Sequence, residues 1–102
     1  MDEIERVIQL VKSFEQTDVA TLDMKYVFES EALCDEFFVR IGATDFSGEL
    51  IPSRRVNTGY VAGLRVVVQL QVEVMRSLCH HYREFAYDLG GMPLKWAVRV
   101  KP

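Results

Sequence analysis

Residues 64–74 alternate between apolar and polar side chains along most of their length. The apolar set is Leu64, Val66, Val68, Leu70, Val72 and Val74, and the other set is Arg65, Gln69, Gln71 and Glu73, interrupted by Val67. A repeat of two residues places the two sets on opposite faces of a β-strand. Because one face is then packed and the other is not fully buried, the pattern predicts a central strand of an antiparallel sheet, at least over residues 64–70.

The length and composition predict one globular domain over residues 1–102. A chain of 102 residues with 49% apolar and 26% charged residues is ordinary for such a domain. The sequence contains no apolar run that approaches the length of about 20 residues needed to span a bilayer. The acidic N-terminus does not resemble a signal peptide. Two cysteines without an export signal predict a cytoplasmic protein with free thiols.

The first half of the chain is predicted to hold two helices and a strand. An amphipathic helix occupies residues 1–17, and the strand follows over residues 22–29. Ser30 is a suitable N-cap for a second helix that ends near Gly42, which is expected to be its C′ residue. The apolar stripe of the first helix is Ile4, Val7, Ile8, Val11 and Phe14, and that of the second is Leu33, Cys34, Phe37, Phe38 and Ile41.

The second half is predicted to add two strands and a helix to the central strand. Residues 49–57 give the weakest pattern, and Pro52 lacks the N–H that a central strand needs, so this segment is expected at a sheet edge. Either residues 57–59 or residues 62–63 form the turn into the central strand. A third helix runs from about Met75 to Leu89 and ends at Gly90-Gly91, and a last strand covers residues 94–101.

The resulting order is a helix followed by β-α-β-β-α-β. Two right-handed crossovers joined by a hairpin give a ferredoxin-like sandwich of the α+β class, with strand order 4-1-3-2 and an antiparallel sheet. We therefore expect residues 1–17 to form an extra N-terminal helix and residues 18–102 to form the ferredoxin-like core. The packed face is predicted to hold Leu22, Met24, Tyr26, Phe28, Leu64, Val66, Val68, Leu70, Leu94, Trp96, Val98 and Val100.

The opposite face of the predicted sheet is basic with a small apolar centre. Its basic members are Lys25, Arg65, Lys95, Arg99 and Lys101, its apolar centre is Val27, Val67 and Ala97, and Gln69 completes it. Two alternatives remain open for this centre: the N-terminal helix covers it, or a second subunit covers it in a homodimer.

The C-terminal part carries a resemblance to a known family. Residues 86–100 read Ala-Tyr-Asp-Leu-Gly-Gly-Met-Pro-Leu-Lys-Trp-Ala-Val-Arg-Val. A helix, Gly90-Gly91, a short turn and then Trp96 in an alternating strand resemble the ending of the bacterial regulator of ribonuclease E activity B family. That family usually has Tyr-Asp-Gly before its tryptophan, where this chain has residues 92–95, Met-Pro-Leu-Lys. The resemblance implies a ferredoxin-like fold and a role in binding and inhibiting a ribonuclease.

The sequence gives no catalytic, metal or cofactor motif. The candidate soft metal ligands are Cys34, Cys79, His80 and His81. Consecutive residues on a helix point about 100° apart, so residues 79–81 do not converge easily on one ion, and buried structural thiols are the better interpretation. We find no glycine-rich phosphate loop and no nucleophile motif. The chain is therefore predicted not to be an enzyme and to need no cofactor.

Two binding functions remain. In the first, a non-catalytic regulator presents Glu3, Glu5, Glu31, Asp35 and Glu36 to the nucleic-acid-binding patch of a partner protein such as a ribonuclease. In the second, the basic face binds RNA through Lys25, Arg65, Lys95 and Arg99. RNA-recognition sheets stack bases on aromatic side chains, and the predicted open face has none, so phosphate contacts alone remain for this alternative.

Overall fold

A computed structural model describes residues 2–15 and 18–99 as an α+β structure with three helices and an antiparallel open sheet of five strands. The helices are α1 (Glu3–Glu15), α2 (Glu31–Gly42) and α3 (Val72–Asp88), and the strands are β1 (Val19–Phe28), β2 (Glu49–Val56), β3 (Gly59–Gln69), β4 (Met92–Pro93) and β5 (Ala97–Arg99). The predicted strand residues Val100 and Lys101, and the side chain of Phe14, lie outside what is described.

The long strands β1 and β3 form the centre of the sheet. They pair antiparallel along their whole length, from Val19 opposite Gln69 to Phe28 opposite Tyr60. The sheet order is β2-β3-β1-β4, and β5 also pairs with β1. β2 pairs only with β3 among the described strands, so Pro52 lies in an edge strand as predicted.

The turn before β3 lies at residues 57–58, so the alternative turn at residues 62–63 is wrong. Gly59 opens β3 with a φ of +147°, and a Cβ there would collide with the carbonyl oxygen of Phe28. Gly63 instead lies inside β3 opposite Lys25, where a Cβ would come within 3.0 Å of the Cβ of Ile51. The glycine at this position therefore serves close packing within the strand and not a turn.

The predicted continuous last strand is wrong, because the edge beside β1 is made of two short pieces. Pro93 of β4 lies opposite Tyr26, whereas Val98 of β5 lies opposite Leu22. Four residues, 94–97, therefore face the three residues 23–25 between those pairs, which is the one-residue excess of a β-bulge. The extra residue takes Leu94 out of the strand pairing, and Leu94, predicted to be packed, is 44% exposed.

Helices α2 and α3 cover one face of the sheet. Their buried residues are Cys34, Phe37 and Ile41 on α2 and Met75, Tyr82 and Ala86 on α3. α3 ends as predicted, because Gly90 has a φ of +75° and the N–H of Gly91 donates to the carbonyl of Ala86 at 2.8 Å. Gly42 is the last helical residue of α2 and not its C′ residue, since Ala43 follows as a right-handed C-cap.

Helix α1 packs against α3, on the same side of the sheet as the other helices. Ile8 is 6% exposed within the core, and Ile4 and Val11 pack against it. Arg76 of α3 forms ion pairs with both Asp2 and Glu5 at the start of α1. The described residues of α1 therefore do not cover the apolar centre of the opposite sheet face. Of the two alternatives for that centre, the N-terminal helix is excluded and a second subunit is left.

The N-cap of α2 gives a test of local stability. The backbone N–H of Leu33 donates to the Ser30 hydroxyl at 3.3 Å. We expect Ser30→Ala to lower the free energy of unfolding by about 1 kcal/mol, because a helix-terminal N–H loses its acceptor. Ser77→Ala, at an exposed position inside α3, is the control, and urea denaturation measures both. Equal midpoints for the two variants would show that the cap does not stabilise the helix.

Candidate binding surface on the open face of the sheet

The open face is the side of the sheet turned away from the helices. The register places on it Val19, Thr21, Asp23, Lys25 and Val27 of β1, Val61, Gly63, Arg65, Val67 and Gln69 of β3, and Ala97 and Arg99 of β5. The structure thus brings Lys25, Arg65 and Arg99 together on one face. Lys95 is exposed in the bulge between β4 and β5, outside the strands that carry them.

Asp23 is the centre of an ion-pair cluster on the open face. Its side chain is only 8% exposed. One carboxylate oxygen accepts a hydrogen bond from the Nε of Arg65 at 2.8 Å, and the other forms an ion pair with the Nε of Arg99 at 2.6 Å. Arg65 also lies 3.5 Å from a carboxylate oxygen of Glu49. The cluster therefore links β5, β1, β3 and β2 across the sheet and fixes two guanidinium groups in place.

The same contacts keep Arg65 charged. The hydrogen bond to Asp23, and then the negative charge of that carboxylate, raise the pKa of Arg65 above its usual value. A guanidinium has five N–H donors, so the contacts of Arg65 through Nε and Nη1, and of Arg99 through Nε, leave other donors for a partner. Arg65 and Arg99 can therefore bind Asp23 and an external acceptor at the same time.

A cleft of about 280 Å³ adjoins this cluster. It contains one cation, Arg54, that the sequence pattern did not place on the open face. Asp23, Lys25, Arg54, Arg65 and Arg99 all line the cleft. β2 shifts register by one residue between Ile51 and Arg54, which sets Arg54 opposite Val61 on the open face. Pro52 within the strand was the available signal, because proline inside a strand often marks a bulge.

The apolar part of the open face is exposed but contains no aromatic ring. Val67 is 65% exposed beside Arg65 and Gln69 on β3, and Val27 is half-buried. None of the open-face positions of β1 and β3 carries an aromatic side chain. Arginine is enriched at protein interfaces, whereas base stacking on a sheet needs aromatic residues.

The acidic residues predicted to contact a partner fall into two groups. Glu31, Asp35 and Glu36 are exposed on α2, and Arg40 pairs with Glu36 at 3.2 Å. On α1, Glu3 is exposed, whereas Glu5 pairs with Arg76 of α3 at 3.6 Å. α1 and α2 each pack on α3. The acidic surface is therefore carried mainly by α2.

The predicted thiol and imidazole residues do not form a metal site in the described chain. Both cysteines are free. Cys34 is fully buried and its Sγ donates to the carbonyl of Tyr60 at 3.6 Å, and burial raises the pKa of both Cys34 and Cys79. His80 lies 3.2 Å from Arg83, and His81 packs edge-on against Tyr82 and Phe85. No group of three or more potential ligands occurs among residues 2–15 and 18–99.

Among the described residues, none of the helices is long and apolar enough to cross a membrane. Comparison of the chain with models of protein families, with curated proteins and with solved structures finds no match.

Proposed function

We propose that the described sheet and helices form a ferredoxin-like sandwich with an added N-terminal helix. The support is topological: taken as two pieces of one edge strand, β4 and β5 complete the order β2-β3-β1-β4 in a β-α-β-β-α-β chain. The antiparallel pairing of β1 with β3, and the placement of α2 and α3 on one face, agree with the same arrangement.

We propose that the chain is a non-catalytic module that binds another protein through the open face and restrains its activity. The observation that carries this proposal is a pair of arginines fixed by one buried carboxylate beside a 65% exposed valine, on a face that no described helix covers. Fixed side chains lose little entropy on binding. Arginine is also enriched among the residues that dominate binding energy.

The first partner to test is a ribonuclease. The resemblance of residues 86–100 to the regulator of ribonuclease E activity B family supports this choice. Two free thiols support a cytoplasmic location for the encounter. In this proposal the open face provides the contact, and the exposed carboxylates of α2 steer the approach to a basic nuclease surface.

Affinity capture from a cytosolic extract, followed by mass spectrometry, tests the proposal. We expect the wild-type chain to capture a nuclease and Val67→Glu to lose it, because a charge would enter the centre of the contact. Val39→Glu is the matched control: Val39 is also 65% exposed but lies on α2. Asp35→Lys is expected to slow the association without abolishing it. Equal capture by the Val67 and Val39 variants would contradict the proposal.

RNA binding is the second candidate function. Four cations, Lys25, Arg54, Arg65 and Arg99, line one cleft against a single buried carboxylate, Asp23, and such a cluster suits phosphates. Fluorescence anisotropy with a labelled single-stranded RNA tests it. A Kd below about 10 μM would favour RNA over protein, provided that binding weakens steeply with added salt and is lost in Lys25→Glu. No binding in that range would remove this candidate.

A second copy of the chain suits the open face less well than another protein does. In an isologous dimer, the same patch meets itself across a two-fold axis. Lys25, Arg54, Arg65 and Arg99 would then approach their own counterparts, with only Asp23 and Glu49 to offset them. Like charges in such contact are unfavourable. A homodimer through this face therefore stays the less supported alternative.

A further inference from the structure

A pocket of about 620 Å³ lies between α1, α3 and the edge of the sheet. Its apolar lining includes Ile4, Met24, Tyr26, Leu94 and Trp96. The bulge contributes to it, because residues 94–96 leave the strand register between β4 and β5 at this point. Pockets that hold small molecules usually measure about 300–1,000 Å³ and are mostly apolar. The proposed protein contact on the open face does not account for this pocket.

The charged residues that line the pocket are cations. Lys25, Arg76 and Arg83 contribute to the lining together with His80, whereas none of the described aspartates or glutamates does. Arg76 is already neutralised by its ion pairs with Asp2 and Glu5. Lys25 alternates to the open face of β1. Arg83 is therefore the charge available to a molecule inside.

Arg83 forms no ion pair with a carboxylate in the described residues. Its contacts are a 3.2 Å approach of its Nη2 to the Nδ1 of His80 and a position 6.0 Å from the ring centre of Tyr87. Its positive charge acts on both Cys79 and Tyr26, where it opposes the rise in pKa that burial causes. Arg83, Cys79 and Tyr26 line the same pocket.

We propose that this pocket binds a small monocarboxylate with an apolar body. The carboxylate pairs with Arg83, in the two-donor geometry that a guanidinium offers to carboxylates. The apolar body lies against Tyr26, Leu94 and Trp96. Arg83 is the one arginine of the lining without an ion pair among the described residues, so a single negative charge fits this site better than a nucleotide with several phosphates. The body is an acyl chain or an aromatic ring.

Trp96 gives a direct readout, since it is the only tryptophan of the chain and lines the pocket. Titration with decanoate and with 3-phenylpropionate is expected to change its fluorescence in a saturable way. Tighter binding of decanoate assigns an acyl chain, and tighter binding of 3-phenylpropionate assigns a ring. Decanol, which lacks the charge, is expected to bind at least about tenfold more weakly than decanoate. Equal binding of decanol, or no saturable change with either acid, would overturn the proposal.

Two further measurements identify the site. Arg83→Gln is expected to weaken binding of the tighter acid about tenfold, while Arg55→Gln, an exposed change on β2 outside the pocket lining, leaves it unchanged. Cys79 lines the pocket and Cys34 is fully buried, so the acid should slow labelling of Cys79 by a thiol reagent. Equal affinities of the two variants, or unchanged labelling, would place the acid elsewhere and contradict the proposal.

Discussion

Replacing Phe37 by alanine is expected to lower the free energy of unfolding by about 3–5 kcal/mol. Phe37 is fully buried on α2, and its ring centre lies 5.2 Å from that of Tyr26 and 5.1 Å from that of Phe28. The substitution removes these contacts and leaves a cavity between α2 and β1. Since domains of this size are stable by about 5–15 kcal/mol in total, the variant should be close to unfolding at 37 °C.

Val39→Ala is the control for Phe37→Ala, because Val39 lies on the same helix and is 65% exposed. We expect a change within about 0.5 kcal/mol for this surface substitution. Urea denaturation followed by circular dichroism measures both variants. A loss below about 1.5 kcal/mol for Phe37→Ala would contradict the placement of α2 on the sheet, since burial of a phenylalanine is worth at least that much.

Replacing Asp23 by asparagine is expected to lower the free energy of unfolding by about 2–3 kcal/mol. The carboxylate holds Arg65 and Arg99 from two different strands. Without its charge, Arg65 would keep only Glu49, and Arg99 would lose its one ion pair among the described residues. Both guanidinium groups are partly exposed, at 34% and 61% of their side chains, so water recovers part of the loss. β5 should also detach more readily, because the Arg99–Asp23 ion pair adds to its short pairing with β1.

Asp35→Asn provides the control for this prediction, since Asp35 is exposed on α2. Thermal unfolding should show a midpoint lowered by about 10–20 °C for Asp23→Asn and nearly unchanged for Asp35→Asn. Hydrogen exchange at residues 97–99 should become faster in the Asp23 variant alone. If both variants unfold at the wild-type temperature, the cluster does not stabilise the sheet.

The alternation of the sequence was sufficient to predict the centre of the sheet. The parity of β1 and β3 follows directly from their apolar pattern, because each strand has one face against the helices. The same reasoning placed Lys25, Arg65 and Arg99 on one face. The helices were predicted for the same reason: their apolar stripes, the Ser30 cap and Gly90 act through local physics that the sequence carries.

Bulges are where the sequence pattern was insufficient. One extra residue in β2 brings Arg54 to the open face, and one between β4 and β5 takes Leu94 out of the pairing and interrupts the last strand. A repeat of two cannot signal a register shift, which depends on pairing with a neighbouring strand. The sequence likewise did not determine the position of α1, since its apolar stripe could cover either face of the sheet. In the structure α1 packs on α3, where Arg76 pairs with Asp2 and Glu5.

The most direct test of the central proposal, contact through the open face, is a lysine footprint of the chain mixed with purified ribonuclease E. Lys25 lies on the open face, whereas Lys12 lies on α1, away from it. Acetylation of the two lysines, measured by mass spectrometry with and without the nuclease, reports which surface is covered. We expect protection of Lys25 and unchanged labelling of Lys12. Protection of Lys12 alone, or of neither lysine, would contradict the proposal.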